Sequence, residues 1–182
     1  MRVLLLAVTL LATTGLLVAQ ETRTEVTKPT TPADDAKANS DSIPDVYALN
    51  GQFERVVVLR FKYQADLLAG MEKIVKEQNI RNAVILAGAG SLTGYHFHLV
   101  SNRTFPSKNI FIRNPSAPAD LASMNGYIID GRIHAHMTLT NENKAFGGHL
   151  ESGTTVFTFA IVTVGVFKDG IDLRRIDDKT YR

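Results

Sequence analysis

Residues 123–167 read SMNGYIIDGRIHAHMTLTNENKAFGGHLESGTTVFTFAIVTVGVF, and this stretch limits the possible folds more than any other part of the chain. β-Branched and aromatic residues recur at strand spacing, and turn signals interrupt them at Asp130-Gly131, at residues 141–144 and at Ser152-Gly153. Three or four antiparallel strands follow from that punctuation. Upstream, FERVVVLRF (residues 53–61) reads as a strand. QADLLAGMEKIVKEQN then places Leu67, Leu68, Met71, Ile74 and Val75 on one helical face, with Asp66 expected in the first turn, where the helix dipole favours an acid. NAVILAGAG (82–90) is a continuous apolar run, GYHFHLV (94–100) alternates, and KNIFIR (108–113) is a shorter strand. One principal helix against a mainly antiparallel sheet predicts an α+β domain.

The composition fits one domain-sized core: 182 residues, 45% hydrophobic and 21% charged. There is no Cys, so metal chemistry must run on His and carboxylates, and only five His are present. Residues 1–19, MRVLLLAVTLLATTGLLVA, resemble a secretory signal peptide, with an uncleaved N-terminal anchor as the alternative. A secreted or periplasmic chain is therefore expected. Residues 20–45 are rich in Thr, Pro, Asp, Ser and Ala and predict a flexible polar linker, leaving residues 46–182 as the folded domain. Past the signal segment no run approaches the roughly 20 apolar residues of a membrane span. The net charge of +2 falls to nearly neutral once Arg2 is removed, a weak electrostatic footprint for nucleic acid.

The histidines cluster in RIHAHMTLT. Alternation sends Ile133, Ala135, Met137 and Leu139 to the core face and His134, His136, Thr138 and Thr140 to the other. If Asn141 and Lys144 flank a tight turn, His136 faces His149 and His134 faces Glu151. Opposed Cβ atoms lie roughly 4.5–5.5 Å apart, so three imidazoles can converge on one cation. Three neutral nitrogens with an open fourth position suit zinc, with nickel, copper or iron as alternatives. The turn at Asp130-Gly131 pairs Tyr127 with His134 and Asn125 with His136, where both can orient imidazoles. Glu151 is placed as a partner of an imidazole, a fourth ligand or a base, and Gly147-Gly148 leave room for metal or ligand. His96 and His98 form a second HxH with no register to connect it to the first. The glycines of LAGAGSLTG are one residue too widely spaced for a dinucleotide fingerprint, and a tight turn between two strands is expected there.

The order strand, helix, LAGAGSL, strand, then HAHMTLTNENKAFGGHLESGTTVFTFAIVTV resembles the plant and prokaryote conserved (PPC) domain over about residues 53–164. The resemblance implies a helix packed on a mainly antiparallel sheet, assembly as a homotrimer, and a metal, zinc foremost, on His134, His136 and His149. His96 and His98 match no ligand motif of that family. Plant members carry a basic AT-hook and an Arg-Phe-Glu stretch; this chain has no such hook and shows Pro118-Ala119-Asp120 instead. The expectation is an exported metal-binding domain with an open site for a small ligand. Any hydrolytic or lyase step would use Glu151 or Tyr127 for the proton. A non-catalytic trimeric interaction module and DNA binding are the alternatives.

Overall fold

The alternating and β-branched runs build eight strands: β1 (Thr22–Glu25), β2 (Phe53–Lys62), β3 (Ala83–Val100), β4 (Asn109–Asn114), β5 (Ala119–Ile129), β6 (Arg132–Thr140), β7 (Ala145–Leu150) and β8 (Thr155–Phe167). Among the described residues, one helix, α1 (Leu67–Glu77), and a short 3-10 turn at Leu173–Ile176 accompany them. The computed structural model describes residues 20–26 and 38–176. The signal segment expected at residues 1–19 lies outside them. Among the described residues no helix is long and apolar enough to cross a membrane.

Every strand pairing is antiparallel, and the ladder closes on itself: β3 pairs with β5, β5 with β6, β6 with β7, and β7 with β3. β8 runs beside the first half of β3 and carries β2 on its other edge, while β4 flanks the second half of β3 and carries β1. α1 lies against β6 and β2. Its Leu67, Met71 and Val75 are buried, with Leu68 and Ile74 partly so, beside Leu59, Phe61, Ala135, Met137, Leu139 and Phe97. The α+β architecture is thus the one the periodicity predicts.

Away from the histidine hairpin, the structure differs from the sequence expectation in three places. The runs 82–90 and 94–100 are one 18-residue strand, and no turn separates them. Gly88, Gly90 and Gly94 are instead where neighbours press close on β3: an added Cβ would meet the Met124 side chain, the Ala160 backbone and the Pro115 backbone, respectively. Irregularities between Ile85 and Ala87 and between Gly90 and Gly94 bend β3 past β8. Within the stretch expected to be a linker, Thr22–Glu25 adds an edge strand to β4, and Glu21 accepts a 2.6 Å hydrogen bond from the buried Tyr95 hydroxyl. Burial first, then that carboxylate, raises the Tyr95 pKa. Asp66 stands one residue before the first turn, as the N-cap of α1. One carboxylate oxygen accepts from Ala69 N–H (2.9 Å) and the other from Gly153 N–H (2.6 Å), so this residue ties the helix to the β7–β8 turn.

Candidate metal centre

A row of side chains crosses the outer face of the sheet. Asn125 on β5 opposes His136 on β6, His136 opposes His149 on β7, His149 opposes His98 on β3, and His98 opposes Phe111 on β4. The hairpin register is the one the NENK turn predicts: Asn141 N–H reaches the Lys144 carbonyl oxygen (3.1 Å), and the Asn141 side chain accepts from Asn143 and Lys144 N–H. The β5–β6 register also stands as read, with Tyr127 opposite His134. Ala135, Met137 and Leu139 are buried on the other side, as alternation requires.

One donor nitrogen from each of His134, His136 and His149 lies within 4.8 Å of the other two. The His149 ring stands edge-on to both partners, at 83° to His134 and 85° to His136, with centroids 4.9 and 5.2 Å away. His134 and His136 are exposed and His149 is half-buried. Burial, then the neighbouring His98, His134 and His136, pushes the His149 pKa down to about 3; burial, then His134 and His98, lowers that of His136. A depressed pKa keeps an imidazole neutral and its lone pair available, which is the state a cation requires. On donor type and convergence, the trio suits a divalent transition metal.

The same depression sets the behaviour of the metal-free protein in acid. His149 has a folded-state pKa below its ordinary 6.5, so its contribution to stability is complete above pH 6.5 and is lost as pH falls toward 3. In EDTA, the melting temperature is expected to hold steady above pH 7 and to stand about 5 °C lower at pH 5. A flat profile over that interval would contradict the burial of a neutral ring.

Glu151 departs from the expected position. β7 ends at Leu150, and the chain then turns onto β3, with Glu151 N–H reaching the His96 carbonyl oxygen (3.1 Å). Its carboxylate meets His98 Nδ1 at 2.6 Å and does not pair with His134. The buried Thr154 hydroxyl holds this turn, accepting from His96 N–H (3.1 Å) and donating to the His96 carbonyl oxygen (2.9 Å). Tyr127 is 40% exposed beside His134. Gly147 and Gly148 serve backbone approach and not ligand space: added Cβ atoms would collide with the carbonyl oxygens of Met137 on β6 and His98 on β3. The part the sequence did not connect is the second HxH. His98 joins the row, its ring centroid 4.5 Å from that of His149, whereas His96 Nδ1 is 2.8 Å from the Ser152 carbonyl oxygen. The signal was present in the alternation of GYHFHLV, but the strand beside it was not readable.

A closed antiparallel sheet with one helix, bearing converging imidazoles on its outer face, defines a class of small metal-capable α+β domains. The family model of the Plants and Prokaryotes Conserved (PCC) domain matches residues 48–168, and the chain belongs to that family. No curated protein matches it in sequence. Among solved structures, it is similar to a plant- and prokaryote-conserved protein from Pyrococcus horikoshii (TM-score 0.57, 23% identity, covering 70% of this chain and 87% of that one). It is also similar to a metal-containing protein from Archaeoglobus fulgidus (TM-score 0.54, 20% identity, 68% and 86% covered). A third, from Ralstonia eutropha JMP134, is provisionally called DNA-binding (TM-score 0.50, 25% identity, 63% and 80% covered). The first two likenesses establish the fold alone.

Proposed function

We propose that this PCC-domain chain is an exported metal-binding protein in which His134, His136 and His149 hold a divalent cation, zinc foremost, and leave its outer side open to a small ligand. The observation that carries the reading is the convergence of three donor nitrogens within 4.8 Å on a registered hairpin. The metal-containing relative from Archaeoglobus fulgidus supports it. A cation bound there supplies Lewis acidity toward a ligand oxygen. The protein's own residues position that ligand. Asn125 and Tyr127 border the imidazoles from β5, opposite His136 and His134, and Tyr127 is 40% exposed.

Assembly as a homotrimer belongs to the same reading. The outer face of β2 and β8 exposes Val56, Val58, Phe157, Phe159 and Ile161, an apolar surface that a second copy of the chain would cover. A DNA-binding role finds little support in a net charge of +2. The test is metal analysis of purified protein resolved by size, for the native chain and for His136→Ala. The expected result is stoichiometric zinc on a trimer, with the zinc of the three-histidine position lost in the variant while the trimer persists. Loss of the fold along with the metal would make the cation a structural clip. A metal-free native chain that binds DNA with steep salt dependence would overturn the reading.

A further inference from the structure

The three-histidine trio does not use all the metal-capable groups on this face. His98, His149 and Glu151 also bring one donor atom each to within 4.8 Å of one another. We propose that His98, His149 and Glu151 hold a second divalent cation beside the first, so that the outer face carries a paired-cation centre in which His149, releasing its ring N–H proton to solvent, bridges the two ions through Nδ1 and Nε2 as an imidazolate. The inference rests on the metal-binding reading above.

Placement argues for it first. His149 lies on the middle strand of three, with His136 directly opposite on one side and His98 directly opposite on the other. Its ring lies at 30° to that of His98 and edge-on to those of His134 and His136, so the two groups of partners approach it differently. Chemistry argues next. The second trio combines two imidazoles with a carboxylate, a donor set that zinc and other first-row divalent metals accept. Glu151 and His98 are only 26% and 20% exposed at the side chain, and among the described residues no Lys or Arg forms an ion pair with this carboxylate. A half-buried carboxylate with no cationic side chain to balance it is a favourable place for a metal ion. The 2.6 Å contact already brings His98 Nδ1 and the Glu151 carboxylate to one point, where a divalent cation would take the place of the proton they share.

The scaffold argues last. Thr154 and Asp66 pin the turn that carries Glu151, and the Phe111 ring, 4.9 Å from that of His98, walls the far side. A purely structural ion pair needs none of the imidazoles on β6 and β7 nearby. Here it stands at the edge of a metal-capable cluster.

The experiment titrates metal-stripped full-length protein with Zn²⁺ and measures bound zinc after dialysis. The native chain is expected to take two zinc ions, and His98→Gln and Glu151→Gln one each. The double variant His134→Ala/His136→Ala is expected to keep one. Circular dichroism reports whether each variant is folded. A native chain that takes one zinc, unchanged in both Gln variants, would overturn the second position and leave the three-histidine site standing; no zinc at all would overturn both. Loss of all zinc from a folded His98→Gln protein would mean a single centre and would also sink the proposal. Should a Gln variant fail to fold, the native stoichiometry of two against one decides.

Discussion

Replacing His149 with alanine is expected to remove all specifically bound zinc, the largest single effect on metal binding available in this chain. His149 is the one residue common to both groups of converging donors, and its ring stands between those of His136 and His98. Removing His134 takes one donor from one group, whereas removing His149 leaves two imidazoles on β6 and an imidazole–carboxylate pair on the far side. The loss in zinc affinity should exceed the roughly 10- to 100-fold that follows when a group hydrogen-bonded to a ligand is deleted. Isothermal titration of metal-free protein with Zn²⁺ measures it. The same variant should lose the acid-side decline in melting temperature, because the ring that resists protonation is gone. An alanine variant that binds zinc as the native chain does would show that the hairpin does not hold the metal.

Gly148→Ala is expected to cost about 3 kcal/mol or more of stability. Its Cβ would strike the His98 carbonyl oxygen, a backbone atom of β3 that cannot rotate away as a side-chain tip can. The strands must part, and β7 then loses the pairing that sets His149 against His98. Gly131→Ala is the comparison: nothing lies within 4 Å of an added Cβ, and only the positive φ of 80° opposes it, for a cost of about 1 kcal/mol. Urea denaturation of both variants checks the ranking. Equal midpoints would mean that β7 and β3 are less tightly apposed than the structure places them.

Much of the site was legible because its geometry is local. Strict alternation in RIHAHMTLT and a four-residue turn determine which side chain opposes which, so His136 against His149 and Tyr127 against His134 could be read directly. The limits of that reading are equally physical. The register that pairs His136 with His149 points His134 at Glu151 only if β7 continues one residue further. Glu151 instead turns toward β3, a strand about 50 residues earlier that short-range periodicity cannot see. Glycines 88, 90 and 94 look like turn residues in isolation. Their reason, the close approach of Met124, Ala160 and Pro115, exists only once the sheet has closed. Thr22–Glu25 carries no apolar signal because an exposed edge strand can be held by backbone pairing alone. The resemblance of HAHMTLTNENKAFGGHL to the family supplied the overall fold, but it was silent about His98.

The closure of β3 onto β7 separates the two halves of the centre in folding order. His134, His136 and His149 are joined by one tight hairpin, a short-loop contact of the kind that forms early, whereas His98 reaches His149 only after a chain loop of some fifty residues has been drawn shut. On the proposed reading, a newly made chain would capture its first cation before the sheet is complete, whereas the neighbouring position would form only in the finished molecule.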